Sequence, residues 1–131
     1  MEIMSSSRGE NMVLVKKFSF EAAHNLVKYH GKCERLHGHT YRLTVKVEGP
    51  LNEEDMVMDF AELKKMVEDR VIKKLDHSYL NELFEQPTTE RVAIWIWEQL
   101  SGPLRECGVR LVEIELWETE TSGVVYRGEK V

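Results

Sequence analysis

Three histidines, His24, His37 and His39, stand at the ends of two alternating segments, with Cys33 between them in the chain. Three neutral imidazoles around an open fourth position make a catalytic zinc site, because imidazole binds the metal while the vacancy admits water or substrate. The spacing puts all three on matching faces. His37-Gly38-His39 runs into Thr40-Tyr41-Arg42-Leu43-Thr44-Val45-Lys46-Val47, aromatic or aliphatic at odd positions and polar at even ones. Residues two apart in a strand share a face, so His37 and His39 extend the apolar side. Upstream, Phe18, Phe20 and Ala22 lead to His24 by the same alternation. A metal among these rings would acidify a bound hydroxyl or polarise a carbonyl. Cys33 admits two readings. With Lys28, Lys32 and Arg35 nearby it is a thiolate base or nucleophile. Alternatively it is a fourth ligand closing a structural site, which makes the chain a binding module with no chemistry.

Two further features carry chemistry. Asp76 beside His77 suits an imidazole oriented and charged by a carboxylate for proton relay, against the plainer reading of a helix-terminal pair in solvent. Val112, Ile114 and Leu116 share a face that Glu118 continues, while Glu113 and Glu115 take the other. A carboxylate closing an apolar stripe needs a partner. The amino-pyrimidine edge of a ligand would offer two donors; the alternative is a strand end reaching water. His30 reads as a loop residue and Cys107 as incidental.

Positioning these groups requires a scaffold. Alternation predicts strands over Val13–His24 and about His39–Glu48, the second ending at the Gly49-Pro50 turn, with a polar loop between. Asp59 reads as a helix N-cap with Glu62 as its capping-box partner; Phe60, Leu63, Val67 and Val71 form the apolar stripe, and Lys73 and Lys74 suit the C-terminal dipole. A second helix follows Pro87, capped by Thr88 or Thr89, with Val92, Ile96 and Leu100 inward and an end near Gly102-Pro103. Strands over Leu111–Thr119 and Gly123–Arg127 close the chain. The order ββααββ predicts an α+β fold, a four-stranded, mostly antiparallel sheet with two helices on one face. Its open edges favour sheet extension between subunits, hence an oligomer.

The 131 residues suit a flexible leader over 1–12 and one catalytic domain over 13–131. With 42% hydrophobic and 31% charged residues the chain reads as a soluble globular protein. A net charge of −5 argues against a general nucleic-acid partner, and no apolar run reaches membrane-spanning length. Two cysteines are too few for a disulfide framework, which points to a reducing cytoplasm. The lack of a Gly-rich dinucleotide fingerprint speaks against a nicotinamide or flavin cofactor.

The motifs together resemble the 6-pyruvoyltetrahydropterin synthase / 6-carboxytetrahydropterin synthase family over nearly the whole chain, from Phe18 to Glu129. The carrying stretches are Phe18–His24, Cys33-Glu-Arg-Leu-His-Gly-His39, Met56–Phe60, Leu75-Asp-His77, Pro87–Glu90, and Trp117-Glu-Thr119 followed by Val125–Glu129. The resemblance implies zinc on His24, His37 and His39, Cys33 as proton acceptor, and Asp76 with His77 as the other half of the acid/base system. It implies Glu118 anchoring a pterin ring in a pocket lined by Thr88, Thr89 and Glu90. It also implies the tunnelling fold, in which sheets join edge to edge into a barrel and two barrels stack as a homohexamer with sites between subunits.

Three residues separate Cys33 from His37, the spacing of carboxytetrahydropterin synthases of queuosine and 7-deazapurine biosynthesis. The implied reaction is a lyase converting 7,8-dihydroneopterin triphosphate to 6-carboxytetrahydropterin, acetaldehyde and triphosphate. Lys28, Lys32 and Arg35 are the candidate triphosphate contacts, by charge. Glu34 overlays a second motif, Glu-x-x-His-Gly-His, which resembles enzymes releasing 6-hydroxymethyl-dihydropterin for folate synthesis and suggests a dual-function member. The rivals are the pyruvoyl synthase, which keeps every side-chain carbon, and a non-catalytic, zinc-stabilised pterin-binding subunit.

Overall fold

The computed structural model describes residues 9–32 and 34–129. Strands β1 (Asn11–His24) and β2 (His37–Pro50) pair antiparallel along their whole length, from Asn11 opposite Pro50 to His24 opposite His37. Of the expected leader, residues 1–8 lie outside the described residues, and Asn11 and Met12 open β1. A long helical stretch follows: α1 (Phe60–Val67), a π-helical turn (Glu68–Ile72) and α2 (Lys73–Leu75). After β3 (Ser78–Tyr79) come α3 (Thr89–Glu106), β4 (Arg110–Trp117) and β5 (Gly123–Tyr126). The sheet order is β3-β1-β2-β4-β5, and the helices cover one face.

The expected four strands are thus five. β3 is two residues long and pairs parallel to β1, Ala22 with Ser78 and Ala23 with Tyr79. A run that short carries no alternation for a sequence reading to detect.

The core lies between the helices and the face bearing Phe20, Ala22, Tyr41, Leu43, Val45, Val47, Ile114 and Leu116. On the helical side, Leu63, Val67, Val71 and Leu75 are all fully buried. Each step of four residues overshoots one α-turn by about 40°, so three steps overshoot by about 120°. The wider π turn absorbs that surplus, because its i→i+5 bonds take in extra residue length without rotating the stripe off the sheet. Asp59 caps α1 by accepting from the Ala61 amide at 2.8 Å. Phe60, expected on the stripe, is exposed and sits under the Lys16 ammonium.

Helix α3 corrects its expected end. It runs through Gly102-Pro103 to Glu106 because Leu104 is fully buried and holds the last turn on the core. The chain then leaves at Gly108, whose φ of +83° suits a residue without Cβ. Strand β4 carries a register shift opposite Lys46 and Val47, so Leu111 joins the core instead of Val112, which is only half-buried. Above the bulge the expected parity holds: Ile114 and Leu116 face inward, with Glu118 one residue beyond the strand. No helix among the described residues is long and apolar enough to cross a membrane.

Candidate metal centre

His24 closes β1 and His37 opens β2 as direct partners, and His39 faces Ala22 on the same side of the ladder. Ring centroids stand 4.7 Å apart for His24–His37 and His37–His39, and 5.1 Å for His24–His39. Tyr41 stacks on Phe20 beneath them and closes the floor. His24 is buried; its Nδ1 lies 2.8 Å from the Pro87 carbonyl and 3.3 Å from the Tyr41 hydroxyl. His37 Nδ1 lies 2.8 Å from the Arg35 carbonyl.

A carbonyl oxygen only accepts, so both Nδ1 atoms donate and both Nε2 atoms present lone pairs. Those Nε2 atoms are 3.1 Å apart. With the protons committed to the carbonyls, no hydrogen bond between them relieves that contact. Glu118 Oε1 comes 3.1 Å from His24 Nε2 and 3.4 Å from His39 Nε2. His39 Nε2 is itself buried without a hydrogen-bond partner among the described residues, because the approach of Glu118 lacks hydrogen-bond alignment. The four donor atoms lie within 4.8 Å of one another. A tetrahedron with metal–ligand bonds of about 2.0 Å has edges of about 3.3 Å. Three of the distances between the four donor atoms, 3.1, 3.1 and 3.4 Å, match that edge, so the donor set fits one divalent cation.

The electrostatics agree. Burial holds the His39 imidazole below its ordinary value against the opposing pull of Glu118, and His24 and His37 add to the lowering. A neutral ring is the form that binds metal. Burial, helped by Glu118 and Glu34, pushes the Tyr41 hydroxyl far up, so it stays protonated.

Asp76 and His77 form a second cluster. Asp76 Oδ1 accepts the Glu21 amide at 2.9 Å, and its Oδ2 lies 3.1 Å from His77 Nδ1. The Glu21 amide, with His77 adding, holds the Asp76 carboxyl below the usual range. His77 has a φ of +59° and reaches to 4.0 Å from the Glu21 carboxylate. Glu21 leaves β1 on the face opposite His24. A cavity of about 490 Å³ is nevertheless lined by both His39 and His77, together with Glu21 and Thr40.

The family model for 6-pyruvoyl tetrahydropterin synthase matches residues 13–129. The chain belongs to that family. It is 43% identical over 122 residues to the 6-carboxy-5,6,7,8-tetrahydropterin synthase of Synechocystis, covering 87% of this chain and 92% of that one. It is 45% identical over 111 residues to the dihydroneopterin monophosphate aldolase of Pyrococcus furiosus, covering 85% and 93%. The 6-pyruvoyl tetrahydropterin synthase structure from Caenorhabditis elegans superimposes with a TM-score of 0.78 at 30% identity, over 95% of this chain and all of that one. The fold is accordingly the tunnelling fold of the pterin synthases, seen here as one open sheet.

Against this family background, Cys33 lies outside the described residues. Its loop neighbour Glu34 accepts the Leu26 amide at 3.1 Å and stands 3.9 Å from His37 Nδ1. Thr88 caps α3 by accepting the Arg91 amide at 3.1 Å; Thr89 is buried and Glu90 exposed in the same first turn. Lys28, Lys32 and Arg35 are all exposed around the loop.

Sequence reasoning missed the groups that hold these elements in place. The Pro87 carbonyl orients His24, and a main-chain acceptor leaves no trace in residue type. Gln86 grips the loop: its Oε1 accepts the Val27 and Lys28 amides at 2.8 and 3.1 Å, and its Nε2 donates to the Lys28 carbonyl at 2.9 Å. Asn81 likewise brackets Asn25. The one available signal was an amide side chain directly before Pro87.

Proposed function

We propose that this protein is a zinc-dependent 6-carboxy-5,6,7,8-tetrahydropterin synthase, a lyase acting on 7,8-dihydroneopterin triphosphate. The observation carrying the reading is the convergence of three imidazole Nε2 atoms whose Nδ1 protons are taken up by main-chain carbonyls or whose ring is kept neutral by burial. Borderline-soft, tetrahedral zinc suits imidazole and carboxylate donors better than the hard cations do.

His24, His37 and His39 hold the metal, which when bound polarises the oxygens of the substrate side chain and acidifies the adjoining C–H bonds. Glu118 takes the amino-pyrimidine edge of the ring, and Thr88, Thr89 and Glu90 line that end of the pocket. The Cys33 thiolate removes a side-chain proton. His77, charged and oriented by Asp76, returns one. Triphosphate leaves by elimination, water adds to the oxidised side-chain carbon next to the ring, and breaking the next C–C bond leaves a carboxyl group on the ring and releases acetaldehyde; oxidation of the side chain is balanced by reduction of the ring, so no external redox cofactor takes part. Lys28, Lys32 and Arg35 receive the triphosphate.

Asp76 and His77 lean on Glu21 beside a cavity that His39 also lines, and the open sheet edges support a homohexamer with its sites between subunits. The setting is cytoplasmic, within queuosine or 7-deazapurine synthesis.

One observation favours a second activity. Glu34 lies beside His37, and the Pyrococcus relative is named an aldolase of dihydroneopterin monophosphate. Retro-aldol cleavage without prior elimination would give 6-hydroxymethyl-dihydropterin and glycolaldehyde triphosphate. Incubating the zinc form with the triphosphate and identifying every product tests both. Acetaldehyde with 6-carboxytetrahydropterin is expected. A product retaining all side-chain carbons assigns the pyruvoyl synthase instead, and absence of turnover overturns the enzymatic reading.

A further inference from the structure

Glu118 stands where two roles compete for one carboxylate. The proposed function assigns it to the pterin ring, yet its Oε1 sits at ligand spacing from two imidazoles, 3.1 Å from His24 Nε2 and 3.4 Å from His39 Nε2. We infer that Glu118 is an exchangeable fourth metal ligand: it caps the metal before substrate arrives and leaves when the amino-pyrimidine ring binds.

The distances to Glu118 match the 3.1 Å between the Nε2 atoms of His24 and His37, as the edges of one coordination tetrahedron should. A shell of three histidines and a carboxylate is closed, and a closed shell leaves no position for chemistry. The parts differ in how firmly they are held. His24 and His37 sit in paired strands with Nδ1 tied to main-chain carbonyls. Glu118 hangs past the end of β4 on a turn, its backbone amide donating to the Ser122 carbonyl at 2.9 Å while the Thr119 hydroxyl accepts the amides of Thr121 and Ser122. Among the described residues, its carboxylate meets only the two imidazoles. Two of the rings are pinned at Nδ1, whereas no hydrogen bond among the described residues holds the Glu118 carboxylate.

The exchange has a chemical consequence. An amino-pyrimidine edge offers two parallel N–H donors, a better match for a carboxylate than one shared metal vertex. Docking the ring therefore removes the cap and frees the vertex only while the side chain to be cleaved is adjacent. Small anions, or a phosphorylated side chain without the ring, meet a closed centre.

The inference rests on the metal reading above, so the experiment separates the two. The protein is loaded with cobalt(II), whose visible bands report coordination, and titrated with azide, then with pterin, the ring without a side chain. In wild type, azide must displace the carboxylate and so binds more weakly than in E118A, by about tenfold for each 1.4 kcal/mol that the cap contributes. Pterin, which displaces the carboxylate and brings no side-chain oxygen to the metal, moves the wild-type bands toward those of E118A and raises azide affinity. E118Q, close in shape to the native residue, guards against misfolding and behaves like E118A, with circular dichroism unchanged. If wild type and both variants share one spectrum and one azide affinity, or if pterin leaves the wild-type bands in place, the exchange is wrong although the metal site stands. If wild type takes up no stoichiometric cobalt, or H37A and H39A bind it equally well, the metal reading falls and the exchange with it.

Discussion

Gln86→Ala should loosen the loop that carries Cys33 while leaving the metal centre intact. The Gln86 side chain makes three hydrogen bonds to the loop backbone, accepting from Val27 and Lys28 and donating to the Lys28 carbonyl. A net bond contributes about 0.5–1.5 kcal/mol, and these are exposed, so water replaces part of each. Their joint loss should cost about 1–2 kcal/mol of local stability. The root of the loop stays pinned by Asn81 on Asn25 and by Glu34 on Leu26, which confines the effect to residues beyond them. An opening equilibrium shifted by that amount accelerates amide exchange at Val27 and Lys28 roughly 5- to 30-fold. Zinc content should not change, because the Pro87 carbonyl that orients His24 belongs to the main chain. Turnover of the triphosphate should fall while metal affinity holds, since Cys33 lies in sequence between Lys28 and the pin at Glu34. Exchange at Val27 and Lys28 equal to wild type would refute the clamp, and a parallel loss of zinc would show that loop and metal centre are a single unit.

Other perturbations probe the remaining parts. His39→Ala should abolish stoichiometric zinc binding and remove the zinc-dependent rise in melting temperature, which scales as RT ln(1+[L]/Kd) in the wild type; atomic absorption and calorimetry with and without chelator read it. Cys33→Ala should keep zinc and lose turnover, whereas lost metal would assign the thiol to the ligand set. Leu104 is fully buried past Pro103, so Leu104→Ala should cost about 2–5 kcal/mol in urea unfolding, and a neutral result would mean the last turn of α3 does not hold to the core. Asp76 has its carboxyl depressed in the fold below the ordinary 3.8, so its contribution is present above that value and lost as pH falls through the lower folded one. The melting-temperature gap between wild type and Asp76→Asn should therefore narrow as the solution is acidified below pH 3.8, and a gap constant through that range would rule out the Glu21 amide as the cause.

How legible this was in the chain varied with how local each signal is. The parity of His37-Gly38-His39 against Tyr41, Leu43 and Val45 needed only a period of two, and the three rings converge as that period requires. Glu118 kept its face because the bulge in β4 falls near Lys46 and Val47, at the far end of the strand; the same bulge displaced Val112. Signals depending on tertiary partners were illegible. β3 exists through its pairing with Ala22 and Ala23, and α3 outlasts Pro103 because Leu104 has a core to enter. The helical stripe at Leu63, Val67 and Val71 was readable, but the π turn that keeps Leu75 in line was not, since propensity carries no preference for it. The Pro87 and Arg35 carbonyls were invisible for a simpler reason: every residue has one.

Strand β1 divides the chemistry between its two faces. Its even positions run Phe18, Phe20, Ala22, His24 toward the core and the metal cluster. Its odd position Glu21 points the other way, and its amide and carboxylate hold Asp76 and His77. A slip of one residue against β2 would exchange the two faces and unmake both clusters at once. The protection is length: all 14 residues of β1 pair with β2, and a shift would expose Phe20 and His24 while burying Lys17 and Glu21. The hydrophobic part of that penalty falls on Phe20, packed under Tyr41, so the alignment of the imidazoles is secured by the core beneath them. A bound metal would then have to supply only the closing force at the end of an already aligned pair of strands. The apo protein should accordingly keep its sheet when zinc is removed, with amide exchange slowed in β1 and β2 to the level of the global core and accelerated only around His37 and Glu118. Wholesale unfolding on chelation would show the reverse order of dependence, with the ion organising the strands.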